Sequence, residues 1–167
     1  AIISYGNQHK IDKKVNNYEK IDEIPFDYER RKMSIAVKDG KNYRMITKGA
    51  LEEVIKGCTQ VKINGKNVKL TKELIKEALE KSKELAQTGM QVIALAAKNS
   101  YPGTAKFNSD YETNMVFIGF VGFLDPAKKD VKNTLKKLYN IGIKTKILTG
   151  DNPYATKNIC NIVGMST

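Results

Sequence analysis

Phe26, Arg30, Arg31, Lys32, Lys48 and Gly49 are residues whose types and spacing could do chemistry together. An aromatic ring can stack on a base, cations can pair with phosphate oxygens, and a glycine lets a ligand come close to the backbone. Together they suit a base that carries phosphates. Each also has an ordinary alternative, Phe26 as a core aromatic and Arg30 to Lys32 as a solvated charged run. On residue type alone both readings stay open.

The elements that must position these residues come next. Two β-type runs, Met33 to Lys38 and Asn42 to Thr47, flank Asp39-Gly40, a dipeptide that readily supplies the positive φ of a tight turn, and so predict a hairpin. Its outer ends meet: Phe26 to Lys32 at one, Lys48-Gly49-Ala50 at the other, the latter opening a short helix through Lys56. Tyr18 to Ile24 reads as an entry strand, and Ala1 to Tyr5 as the tail of a helix. A second hairpin turns at Asn64-Gly65, between Cys58 and Leu70. Thr71 is a good N-cap for a helix whose apolar stripe (Leu74, Ile75, Ala78, Leu79, Ser82, Leu85, Ala86) runs to Gly89. Val92 to Ala97 predicts a strand, Lys98 to Thr113 a polar loop, and Met115 to Leu124 a strand buried on both faces.

Hairpins followed by helices imply an α+β layout, an antiparallel sheet flanked by helices. From Asp125 the grammar changes. Helix Ala127 to Ile141, strand Lys144 to Leu148, turn Thr149-Gly150-Asp151 and helix Asn152 to Val163 form a βαβα run of α/β type, the mark of a parallel sheet. The expected division is residues 1–122 and 123–167, with Asp125-Pro126 as hinge.

At 167 residues, 41% hydrophobic and 28% charged, the chain can bury a core and is not of disordered composition. No apolar run approaches the roughly 18 residues of a membrane helix, and no signal peptide precedes Ala1, so any membrane role is expected to lie outside this chain. The net charge of +11 invites a polyanionic partner. The lysines are scattered, with no basic block interleaved with aromatics, so ATP accounts for the charge as well as nucleic acid does, and no nucleic-acid partner is expected. Cys58 and Cys160 lack the spacing of a disulfide framework or zinc site, and His9 stands without neighbouring ligand types, so no metal site is expected in the chain itself.

Phe-Asp-Tyr-Glu-Arg-Arg-Lys-Met-Ser (26–34), Lys-Gly-Ala (48–50) and Phe-Leu-Asp-Pro (123–126) leading to Ile-Leu-Thr-Gly-Asp-Asn (147–152) occur in that order. This series resembles the nucleotide-binding domain of cation-transporting P-type ATPases over essentially the whole chain. Leu51, where most calcium and proton pumps carry proline, makes the bacterial magnesium-transporting branch the nearer match.

The resemblance implies that Phe26 stacks on adenine, Arg31 reaches the phosphates, Lys48 lines the adenine pocket and Gly49 lets the nucleotide lie close to the backbone. It implies that Glu29 pairs with nearby arginines and holds the loop. It places Asp125, Thr149, Gly150 and Asp151 near the transferred phosphate and its Mg²⁺, and Lys128 at the nucleotide-facing hinge. Two positions depart from the pattern: Ala127 replaces a second proline, and Gln91 stands where many relatives have an arginine, so it can donate a hydrogen bond but brings no charge.

The chain contains no Asp-Lys-Thr-Gly-Thr and no Gly-Asp-Gly-x-Asn-Asp, so the aspartate that accepts the phosphoryl group is absent. Without that nucleophile no covalent phosphoryl transfer proceeds. The resemblance therefore implies an ATP-binding fragment, inactive alone, from the cytoplasmic part of a plasma-membrane pump. Its partners would be ATP or ADP and the phosphorylation, actuator and transmembrane domains of the same polypeptide. Two other readings differ in class. A haloacid-dehalogenase-type phosphatase would need an Asp-x-Asp motif, which the chain lacks; a basic nucleic-acid module would show steeply salt-dependent binding.

Overall fold

Period-two burial builds the central layer. Ser34 and Ala36, Met45 and Thr47, and Ala94 and Ala96 are buried on three different strands, each pair two residues apart so that both members point to one face. In the computed structural model, which describes residues 2–9, 11, 18–100, 107–123, 127–149 and 153–165, the elements run in the following order. Helix α1 (Ile2–Gln8) precedes strands β1 (Glu19–Asp27), β2 (Lys32–Asp39) and β3 (Asn42–Gly49), then helix α2 (Leu51–Lys56) and strands β4 (Cys58–Ile63) and β5 (Lys66–Lys69). Helix α3 (Lys72–Gln87), β6 (Gln91–Lys98), a 3-10 turn (Ser109–Tyr111), β7 (Met115–Phe123), α4 (Val131–Asn140) and α5 (Pro153–Val163) complete it. The chain divides into two units, Ala1–Leu79 with Ile93–Val121, and Glu80–Val92 with Gly122–Thr167.

The sheet has seven strands in the order β1-β2-β3-β6-β7-β4-β5. Its core joins Ala36, Met45, Ala94, Ala96, Met115 and Phe117 to Leu51, Val54 and Ile55 of α2, with Ile75, Ala78 and Leu79 of α3 packed against them. At six residues α2 is too short to hold itself together, so its stability comes from burying those three side chains, about 1.5–3 kcal/mol each. Ile75, Ala78 and Leu79 of the predicted stripe are thus a packing face in the first unit, while Ser82, Leu85 and Ala86 belong to the second. In the second unit α4 and α5 contact each other, and Cys160 and Val163 of α5 are buried.

Several expectations need correction. The sheet is mixed: β4 runs parallel to β7, pairing Cys58 with Met115 and Val61 with Phe117, because the long intervening chain lets β7 enter from the same end as β4. The first hairpin turns at Gly40-Lys41, since Asp39 still pairs with Asn42; only Gly40 takes a positive φ (58°), as a turn with glycine at its first central position requires. The second turns at Asn64-Gly65 as read. β1 continues beyond Ile24 to Asp27, and the register slips between Ile24 and Asp27. Pro25 is tolerated there because β1 is an edge strand with an irregularity at that point. β7 is buried at Met115 and Phe117 but exposed at Ile118 and Val121, so one face of its first half is covered, not both.

The largest departure is Lys144 to Leu148, which forms no strand. A parallel strand needs neighbours that cover both faces; no described strand pairs with this segment, and Leu148 is 94% exposed. Asp125, Pro126, Gly150, Asp151 and Asn152 lie outside the described residues.

Candidate functional site

Strand pairing places four of the predicted site residues, Phe26, Arg31, Lys48 and Gly49, at one end of the sheet. Asp27 pairs with Lys32 across β1 and β2, and Lys32 with Gly49 across β2 and β3. Phe26, Arg31 and Lys48 each precede a member of that row by one residue. Phe26 is 52% exposed and meets Tyr28 edge-on at 5.3 Å between ring centroids. Arg31 and Lys48 are exposed. The Lys48 side chain makes no hydrogen bond or ion pair with any described residue, which leaves its ammonium available to an anion.

The turn that carries Arg31 is fastened from both sides. The Asp27 carboxylate accepts from the Glu29 and Arg30 amides at 2.8 and 2.9 Å, and these bonds, led by the Arg30 amide, hold its pKa below the usual carboxylate range. The Arg31 amide donates to the Asp27 carbonyl at 2.7 Å, and the Arg31 carbonyl accepts from the Ala50 amide at 3.0 Å. These bonds hold Arg31 at φ 51°, a left-handed conformation uncommon for a side chain of this size. Gly49 has a local reason to be glycine. A Cβ there would fall inside the van der Waals contact of the Arg31 carbonyl and of Lys32, so the turn could not sit this close to β3.

Behind the turn lies a buried charge that the sequence reading did not single out. The Glu112 side chain is 1% exposed. Its two oxygens accept from Nη1 of Arg30, each at 2.8 Å, one also from the Ser34 hydroxyl at 2.7 Å, and the other faces the Lys32 ammonium at 3.1 Å. Ser34 shares a further 2.7 Å hydrogen bond with Thr47. Burial pushes the Glu112 carboxyl up, but the hydrogen bonds from Ser34, Arg30 and Lys32 outweigh it and bring its pKa below the ordinary 4.5. Glu29, expected to pair with the arginines, is exposed and accepts nothing from Arg30; Glu112, distant in sequence, takes that place. An acidic residue in a polar stretch carries no local mark of burial, which is why Glu112 was passed over.

The remaining predicted residues belong to the second unit: Gln91, half-buried at the start of β6, and Lys128 and Thr149, both exposed. In the first unit a groove of about 500 Å³, lined by Arg44, Ile46, Leu95, Lys98, Val116 and Ile118 among others, includes none of the predicted residues. Cys58 donates to the Val54 carbonyl at 3.3 Å, and burial pushes its thiol up to about 11, too high for a ready nucleophile. Among the described residues no three His, Cys, Asp or Glu side chains gather as metal ligands, and no helix is long and apolar enough to cross a membrane.

The seven-stranded sheet flanked by helices, with its Phe26 to Ser34 and Lys48 to Ala50 segments side by side, has a counterpart among known families. The family model described as P-type ATPase, cytoplasmic domain N, matches residues 1–130. The chain belongs to that family. As a P-type ATPase N domain it is 37% identical over 149 residues to "Magnesium-transporting ATPase, P-type 1" of Salmonella typhimurium, covering 89% of this chain and 16% of that protein. It is 32% identical over 166 residues to the protein of the same name in Escherichia coli K12, covering 99% and 18%. "Calcium-transporting ATPase 1" of Bacillus cereus is 31% identical over 149 residues, covering 89% and 17%. The N domain here therefore spans about one sixth of the length of these relatives, and corresponds to one part of a longer polypeptide.

Proposed function

We propose that this N domain binds ATP and, in a complete P-type pump of the magnesium-transporting branch, presents the γ-phosphate to an aspartate that this chain does not contain. The observation that carries the reading is the register row Asp27–Lys32–Gly49, which gathers a half-exposed aromatic and two exposed cations, one whose side chain has no partner among the described residues, at one sheet end. Phe26 would stack on the base, Arg31 would pair with the phosphates, and Lys48 would close the base-binding side. Mg²⁺ would arrive with the nucleotide, and no described cluster of carboxylates would hold it on its own. Residues 123–167, with Asp125, Lys128, Thr149, Gly150 and Asp151, would serve the phosphate end, and Gln91 would offer a neutral hydrogen bond. The partners would be the remaining domains of the same polypeptide, with the N domain on the cytoplasmic side of a cell membrane.

Lys48→Ala is the test. The Lys48 side chain bonds to no described group that its loss would leave unsatisfied, so the variant should keep the wild-type denaturation midpoint while ATP affinity drops about 10- to 150-fold, as for one charge-assisted hydrogen bond of roughly 1.5–3 kcal/mol. An ATP-analogue titration beside a urea melt reads both. Equal affinities would remove Lys48 from the site. The same samples given γ-labelled ATP should take up no phosphate, because the nucleophile is absent; label on the protein would contradict that.

A further inference from the structure

Three groups converge on a carboxylate that lies far from them in the chain. Arg30, Lys32 and Ser34 reach Glu112 from the β1–β2 segment, and Thr47 of β3 joins through Ser34. Arg30 also uses its second terminal nitrogen, Nη2, to hold the Pro25 carbonyl at 2.8 Å. One guanidinium thus ties the residue before Phe26 to a buried anion, while the turn's own bonds seat Arg31 between Asp27 and Ala50. Glu112 in its turn stands on a fixed support. Its amide donates to Ser109 within a 3-10 turn capped by Asn108, and Lys98 donates to the Tyr111 and Thr113 carbonyls on either side of it.

We infer that Glu112 is a positioning residue for nucleotide binding: acting through Arg30, it sets where Phe26 and Arg31 stand relative to Lys48 without touching the ligand. The inference rests on the nucleotide reading above and deepens it. Packing alone would not require a charged group here, since an apolar side chain could fill the space beneath β2 and β3. A buried carboxylate that satisfies two cations and a hydroxyl costs desolvation, and its return is a fixed geometry for the groups it holds. The side chains offered to the ligand lie on the turn, and the partner that fixes the turn lies behind it.

The test uses Glu112→Gln, Arg30→Gln and the double variant, which replaces the Arg30–Glu112 pair with two amides and leaves Lys32 as the one cation of the cluster without its carboxylate. Amide hydrogen exchange at Arg31 is read without nucleotide, and ATP affinity is read on the folded fraction. Each single variant should lose Arg31 protection and bind ATP roughly 10-fold more weakly, the order seen when a supporting partner of a ligand contact is removed. The double variant should be no worse than the weaker single one, because both residues act through one ion pair. Unchanged ATP affinity in folded Glu112→Gln, or losses that simply add, would overturn the positioning role. Unaltered Arg31 protection would overturn it whether or not ATP binds. A wild type that binds no ATP would overturn the nucleotide reading on which the role depends.

Discussion

Phe26→Ala is expected to lower ATP affinity about 5- to 100-fold, the loss of one base-stacking contact, while the denaturation midpoint moves little. A fully buried phenylalanine would behave otherwise, since truncation to alanine in a core costs roughly 3–5 kcal/mol, enough to unfold a domain of ordinary stability. Phe26 is 52% exposed and sits on an edge strand against Tyr28, itself 90% exposed, so there is little packing to lose. A urea melt and an ATP-analogue titration on the variant separate the two cases. Marked destabilisation with unchanged affinity in the folded fraction would return Phe26 to the core.

Arg30→Ala should behave in the opposite way. It removes a donor to both oxygens of a side chain that is 1% exposed, and breaking a buried pair costs roughly 3–5 kcal/mol, with the lower end expected because Ser34 and Lys32 remain. The loss has a pH signature. The folded pKa of Glu112 is depressed below 4.5, so its contribution to stability is fully present above the unfolded value and is lost as pH falls through the folded one. In Arg30→Ala one of the downward influences is gone, so the folded value moves toward the unfolded one, and the acid-induced loss should be smaller than in the wild type and complete at a higher pH. Melts recorded from pH 7 down to pH 3 would show it. Identical acid profiles for the two proteins would mean that the Arg30–Glu112 pair does not govern the titration.

Local chemistry made much of the first unit legible. The β-type runs on either side of Asp39-Gly40 gave β2 and β3, Asn64-Gly65 marked its turn, and the stripe from Leu74 to Ala86 with Thr71 before it gave α3. What escaped were the pairings set by distant segments. Nothing in Val61 or Phe117 announces that β4 and β7 run parallel, and nothing in Asp110-Tyr111-Glu112 announces a buried ion pair with Arg30. The hairpin turn was misplaced by one residue because Asp39-Gly40 and Gly40-Lys41 both offer a positive φ, and only the ladder across Asp39 and Asn42 chooses between them. The strand read at Lys144 to Leu148 failed for the same reason: an apolar run gives the tendency, but a neighbouring ladder makes the strand.

For the candidate site, residue types pointed to Phe26, Arg31 and Lys48 before any geometry was known, and the register row brings them to one sheet end. Gly49 was legible as a place of close backbone approach. The neighbour that crowds it in the fold is the Arg31–Lys32 backbone and side chain, which a linear reading cannot distinguish from a ligand.

Titration of the isotope-labelled chain with ATP, followed at every backbone amide and repeated with Mg²⁺, tests the central claim most directly. The prediction is a saturable set of shifts centred on Phe26, Arg31, Lys48 and Gly49. Half-saturation should fall on the order of 0.1–1 mM, since few contacts must offset the cost of ordering the ligand, and added Mg²⁺ should change it little. Shifts confined to residues elsewhere, such as the groove lined by Arg44 and Lys98, with Phe26, Arg31, Lys48 and Gly49 unmoved, would contradict it.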